Sequence, residues 1–186
     1  MRDQLQCEGA FLSAVHRLDR DVSGIVLLAL SKKAAHLLSE QFAARRVAKT
    51  YHAWVQGRLP VTALESTGER WLDYVRKIDD VARGEVCEAD SPNAKLAETD
   101  VRVLLYDEAA DVSLLELSPL TGRMHQLRLQ TAARGHAIVG DSLYGHPAPT
   151  NMPSDGLFAG DGIALKAVKL RFHHPRTGVL VEVVAS

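Results

Sequence analysis

The sequence predicts an α+β fold with a mixed, largely antiparallel central sheet flanked by helices. Three observations carry that expectation. Strand-like segments outnumber segments of helical period, and several are joined by short turn-forming stretches that suit antiparallel neighbours. Only two stretches, 31–46 and one opening at Thr121 or Gly122, combine an apolar stripe with helix start and stop signals.

Taken in order, the run Ile25–Leu30 is continuous, apolar and partly β-branched, which predicts a central strand covered on both faces. Ser31 is a suitable N-cap for a helix to about Arg46, with Ala34, Leu37, Leu38 and Phe42 on one stripe and Arg45 and Arg46 in the last turn. In "KTYHAWVQG" the alternation puts Lys49, Tyr51, Ala53 and Val55 on one face and His52 and Trp54 on the other, with Gly57 ending the strand. Residues 58–97 are polar, acidic and weakly periodic, which predicts short strands and loops. "TDVRVLLY" and "DVSLLELSP" form a hairpin around "DEAA", stopped by Pro119.

The following helix faces Leu127 inward and stops at Gly135. Arg123 then falls in its first turn, where the helix dipole disfavours a cation, so a partner anion is needed to explain it. "HPAPTNMPSDG" reads as a proline-rich surface loop, and "GIALKAVKLRFHHPRTGVLVEVVA" as two strands turning at "HPRTG".

At 186 residues the chain has the size of one domain with a real core, and 46% hydrophobic against 24% charged residues is the balance of a soluble globular protein. It carries no apolar stretch of membrane-spanning length and no apolar leader, so a cytoplasmic location is expected. Cys7 and Cys87 are isolated, which predicts reduced thiols, and the eight histidines lack ligand spacing, so no metal site is expected. The net charge of −1 hides an uneven distribution: 8 basic and 5 acidic residues over 1–50, 7 and 14 over 51–120, 7 and 4 over 121–186. Two positive ends folded onto one face would attract phosphates; a mixed surface with no net field is the alternative.

"AVHRLDRDVSGIVLLAL" places a polar knot directly against the apolar run. Asp19, at the mouth of a core and flanked by Arg17 and Arg20, has the setting of a nucleophile or general base held ionised by neighbouring cations. The competing reading is a structural turn whose acid neutralises the arginines. "DRDV" also fits a D-x-D-x-[TV] phosphotransfer pattern, but that chemistry expects the apolar strand before the first Asp, and here it follows. A loop carboxylate, a strand tyrosine and an arginine opening a helix are together the parts needed to hold a flat uncharged ring and attack it.

"HRLDRDVSGIVLLA", "KTYHAWVQG", "SPLTGRMHQLRLQTAARGHAIVGDSLYG" and "LKAVKLRFHHPRTG" occur in that order, and together they resemble the RluA family of RNA pseudouridine synthases over about residues 15–184. The resemblance implies the pseudouridine synthase catalytic fold as a single domain over 1–186, and isomerisation of a uridine in ribosomal or transfer RNA without metal or organic cofactor. It makes Asp19 the catalytic aspartate, Tyr51 the tyrosine that packs on the target uracil, and Arg123 the arginine that pairs with the aspartate. Arg17 would reach into the RNA near the vacated base, and His16, Lys49, His125 and Arg128 are the further substrate-binding candidates. An RNA stem-loop partner and a monomeric state are expected with it.

Two departures from the family pattern stand out. Val22 replaces the usual threonine, losing a hydroxyl. Only Met1–Ala14 precede "HRLD", where the family usually carries further strands, so those strands are expected to be missing or shortened. An RNA-binding protein or chaperone on a synthase scaffold is the alternative reading. The loops at 58–97 and 146–160 are expected to select the target.

Overall fold

The computed structural model describes residues 11–59, 68–145, 151–153 and 162–185. The chain order is β1 (Ser13–Ala14), β2 (Ser23–Gly24), β3 (Leu28–Ala29), α1 (Lys32–Ala43), β4 (Ala48–Gln56), β5 (Glu69–Lys77), β6 (Gly84–Cys87), β7 (Lys95–Asp107), β8 (Val112–Pro119), α2 (Gln126–Ala133), β9 (Leu165–His173) and β10 (Leu180–Val184). Seven of these strands run β10-β9-β4-β8-β7-β5-β6, every pair antiparallel, and β2 adds a short parallel contact to β9. The fold is therefore α+β with a mixed, largely antiparallel sheet.

The main core lies where β4, β7 and β8 cross the middle of the sheet. Ala53, Val55, Leu115, Leu117 and Ile138 have no measurable exposure. A second cluster joins Ala29, Leu38 and Val47 to Leu170 and Phe172, and this is how α1 docks on β9. Ser31 caps α1 by accepting from the Ala34 N–H at 3.2 Å.

Four expectations need correction. Ile25–Leu30 is not a central strand: the chain pairs with β9 at Ser23 and Gly24, with the Ile25 N–H donating to the Ala167 carbonyl at 3.0 Å, then pairs Leu28 and Ala29 with β1 in a separate two-stranded ribbon. Val26 and Leu30 are 44% and 64% exposed, so the run packs along one side of the fold instead of inside it. Helix α1 ends at Ala43, and Arg45 and Arg46 lie beyond its last turn. The acidic middle holds a full nine-residue strand, β5, whose Trp71 and Val75 are buried while Leu72 and Tyr74 face out. Helix α2 begins at Gln126, not at Thr121 or Gly122, because His125 adopts a left-handed φ of 51° and residues 121–125 form a separate turn.

The other expected elements are present. The β7–β8 hairpin ends at Pro119, Gly57 ends β4 with φ of 75°, and β9 turns into β10 through "HPRTG". Most of the proline-rich stretch 146–156 lies outside the described residues.

Candidate active site

The loop bearing Asp19 is anchored at both ends. On its C-terminal side Gly24 approaches β9 so closely that a Cβ would stand 2.3 Å from the Ala167 carbonyl oxygen, and its φ of 113° also excludes a side chain. On its N-terminal side His16 accepts the Leu27 N–H at 2.8 Å through Nε2 and stacks on Phe42 at 4.8 Å. Between them the Val22 N–H donates to the Asp19 carbonyl at 3.2 Å, closing a tight turn over Asp19–Val22. Val22 packs its methyl groups against the main core, so the position occupied by valine is apolar and filled.

This loop forms one wall of a cleft of about 390 Å³. Arg17 and Asp19 come from the loop, Lys49 and Tyr51 from β4, and Arg123 and Arg128 from the turn before α2 and from α2 itself. Lys49 and Tyr51 project to the same side, as the alternation requires, while His52 turns to the opposite face beside Glu116 at 3.8 Å. Burial, helped by the nearby Asp19 charge, pushes the Tyr51 phenol up to about 12, so it stays neutral at physiological pH. Burial also lowers the Lys49 ammonium from its ordinary value.

The turn that carries Arg123 is held by a buried polar chain. Gln126 accepts from the Thr121 hydroxyl at 2.7 Å and from the Arg123 N–H at 3.0 Å, and its amide donates to the Glu98 carbonyl and the Thr99 hydroxyl. Thr99 in turn donates to Gln130 at 2.6 Å, and Gln130 donates to Asp73 at 2.7 Å. Each donor meets an acceptor, which locks the 119–126 turn onto β7 and β5. Arg123 thus opens a turn and not a helix, and the conflict with a helix dipole disappears.

Its guanidinium Nε donates to the Leu96 carbonyl at 2.9 Å. The expected pairing with Asp19 is not formed: among the described residues the Asp19 carboxylate has no ion-pair partner. Its charge is nevertheless felt at Tyr51, His125 and Arg128.

Arg128 is engaged from behind. Its Nε and Nη2 meet the two Asp141 carboxylate oxygens at 2.7 and 2.8 Å, and the Asp141 side chain has no exposure. Burial alone would raise the Asp141 carboxyl, but the hydrogen bonds and charge of Arg128, with the N–H groups of Leu143 and Tyr144, hold it below its ordinary value. His125 does not line the cleft. Its Nδ1 lies 2.9 Å from the Tyr144 hydroxyl, which accepts from the Gly84 N–H, and burial followed by the Arg128 charge lowers its pKa. His16 is likewise outside the cleft, with its ring nitrogen occupied by Leu27.

The sequence therefore indicates the cleft residues Asp19, Tyr51, Arg123, Arg17, Lys49 and Arg128, but not Asp141, which holds Arg128, or Gln126, which holds the Arg123 turn. The available signal for Asp141 was an acid one residue beyond the apolar run Ala137–Val139, separated from it only by Gly140, where an unpaired charge is not tolerated.

The cleft thus joins a loop carboxylate, a half-buried tyrosine and a ring of cations on the face of one antiparallel sheet. The sequence pattern of the RNA pseudouridylate synthase family matches residues 3–133, and the chain belongs to that family, in its RluA-type branch. Ribosomal large subunit pseudouridine synthase C of Haemophilus influenzae is 33% identical over 189 residues, covering 98% of this chain and 53% of that protein. tRNA pseudouridine synthase C of Yersinia pestis is 35% identical over 191 residues, covering 100% of this chain and 71% of that protein. Human RNA pseudouridylate synthase domain containing 1 superimposes with a TM-score of 0.74 at 29% identity, covering 100% of this chain and 71% of that structure. The chain spans about half the length of the ribosomal relatives it matches.

Proposed function

We propose that this chain is the catalytic domain of an RNA pseudouridine synthase that isomerises a uridine in ribosomal or transfer RNA, with Asp19 as the reacting carboxylate. The observation that carries the reading is the convergence of Asp19 with Tyr51 and three cations, Arg17, Lys49 and Arg123, in one cleft from three separate parts of the chain. The names of the relatives from Haemophilus influenzae and Yersinia pestis support ribosomal and transfer RNA as substrate classes.

The target nucleotide leaves its stack, at a cost of a few kcal/mol that is smallest for a base already in a loop. The half-buried Tyr51 ring offers the flat surface against which a uracil packs. Asp19 then adds to the uracil ring, attacks C1′ of the ribose, or removes a ribose proton, and an ionised carboxylate beside the sugar serves all three routes. The bond from N1 to C1′ breaks, the ring rotates within the cleft, and a bond from C5 to C1′ forms. C5 loses its proton and N1 gains one, so the reaction is a net isomerisation. A neutral phenol at Tyr51 is a poor base, so stacking is its first role and C5 deprotonation by it requires a neighbouring acceptor.

Arg17 and Lys49 face the flanking nucleotides, and Arg123 keeps its remaining guanidinium nitrogens for the cleft. Arg128, fixed by Asp141, contributes a positive field more than a direct contact. His16 and His125 position their segments, one holding the Asp19 loop and the other the start of α2. The same reading has the domain acting as a monomer on a stem-loop in the cytoplasm, without a cofactor.

The test is incubation of the chain with total RNA from cells lacking its gene, followed by carbodiimide labelling and mapping of reverse-transcription stops. New stops that need Asp19 are expected. RNA binding without any new stop would instead support a binding-only protein on a synthase scaffold.

A further inference from the structure

Beside the cleft, at the point where Lys49 and Pro119 line both, lies a second groove of about 350 Å³. Arg45, Arg46, Lys49, Lys169 and Arg171 line it, and no carboxylate does among the described residues. Arg171 is half exposed and shares a loose 3.4 Å contact with Glu182. The β4–β9 register brings this set together by placing Ala48 opposite Arg171 and Thr50 opposite Lys169. Cations from the two positive thirds of the chain thus meet on one surface.

The arginines at the end of α1 have no structural reason to be there. The helix closes by a Schellman motif, with the Arg46 N–H donating to the Gln41 carbonyl at 2.9 Å and the Arg45 N–H to the Phe42 carbonyl at 3.1 Å. Backbone groups therefore satisfy those orphan carbonyls, and no cationic side chain is needed to do so. Arg45 moreover holds a φ of 55° at the position of the motif where glycine is the unstrained residue. An arginine kept at a glycine position, among four other cations without an opposing acid in the lining, marks a surface shaped for an anion. The groove at the other end of the cleft differs, since its lining includes Asp79 and its Arg76 is already paired with Glu85 at 2.6 Å.

We propose that this groove carries the sugar-phosphate backbone of the RNA on one side of the target nucleotide, with Arg45, Arg46 and Lys169 each meeting a phosphate. This rests on the reading of the cleft as an RNA-modifying site and adds the path by which the strand leaves it. Phosphate contacts of this kind set register without reading sequence, so the groove orients the strand and leaves target choice to other surfaces.

The experiment measures binding of a fluorescein-labelled RNA hairpin by anisotropy over a salt series. It compares wild type, the triple variant Arg45→Gln/Arg46→Gln/Lys169→Gln, and a control triple variant Lys32→Gln/Lys33→Gln/Arg176→Gln with the same charge change outside the groove. The groove variant is expected to lose at least about tenfold in affinity near 0.15 M salt and to reduce the slope of log K against log salt by about 2 to 3. The control keeps its slope within about 1 of wild type. Equal losses in the two variants, or none in the groove variant while wild type binds, overturn the groove. Failure of wild type itself to bind RNA overturns the cleft reading with it. Should the groove variant melt early, Arg46→Cys and Lys32→Cys bearing a photo-crosslinker replace it: crosslinking from position 46 is expected, and crosslinking from position 32 alone overturns the proposal.

Discussion

The Arg128 guanidinium grips the Asp141 carboxylate at two points, 2.7 and 2.8 Å, in the wall directly behind the cleft. Neither partner is tolerable there alone, because a buried charge without its counterpart is costly to fold. Asp141 also accepts from the N–H groups of Leu143 and Tyr144, so one side chain fixes both the cation on α2 and the turn after residue 140. The cleft wall at Arg128 therefore rests on an ion pair whose acid is wholly buried.

Asp141→Asn leaves the guanidinium without its counter-charge and is expected to destabilise the fold by about 3 kcal/mol. Because the wild-type carboxyl lies below its ordinary value, its contribution is complete above the unfolded-state value near 4 and is lost as pH falls through the lower folded value. Melting curves from neutral to strongly acidic pH check this: wild type should lose its advantage over the variant in the acid limb. Parallel curves would show that the pair adds no stability.

Tyr51 and Asp19 face each other closely enough for the carboxylate charge to raise the phenol. Neutralising that charge with Asp19→Asn should therefore lower the Tyr51 pKa from about 12, while the larger part of the elevation, caused by burial, remains. Titration of the labelled tyrosine Cζ by NMR measures the change, and an unmoved value would separate the two groups in solution.

Gly24→Ala places a methyl group against the Ala167 carbonyl and forces a side chain into a φ of 113°. The parallel contact to β9 must open, moving the Asp19 loop. A loss of about 2 to 4 kcal/mol is expected, with activity falling further than the melting temperature accounts for. Chemical denaturation and single-turnover assays on the same preparation separate the two effects.

Arg45→Gly should raise stability by about 0.5 to 1 kcal/mol, since glycine relieves the left-handed backbone at the end of α1. It should weaken RNA binding at the same time. Denaturation midpoints and anisotropy titrations read these opposite signs, and a variant that loses both would contradict the assignment of strain at Arg45.

Much of this arrangement was legible in the sequence, and the parts that were not share a cause. Strand alternation placed Lys49 and Tyr51 on one face correctly, because the face of a strand follows from local geometry. The run Ile25–Leu30 misled because an apolar stretch shows that something covers it without showing what. The cover here is α1 and the edge of β9, and two short pairings replace one long strand. Strand β5 was hidden by its five charged residues, Glu69, Arg70, Asp73, Arg76 and Lys77, although Trp71 and Val75 keep the inward period. Helix α2 was started too early because its true boundary is set by Gln126 reaching back to Thr121 and across to Thr99 on β7, which are tertiary contacts. The Arg128–Asp141 pair was out of reach for the same reason, its partners lying on separate elements.

The proposed function assigns Asp19 to the chemistry and not to the binding. Its most direct test is the single-turnover rate of pseudouridine formation on a mapped RNA, measured with wild type and Asp19→Asn alongside their RNA affinities. A rate at least about 10³-fold lower is expected for the variant, roughly 4 kcal/mol of lost transition-state stabilisation, with affinity within about threefold. An Asn variant that turns over at the wild-type rate, or one whose whole defect is lost affinity, would contradict it.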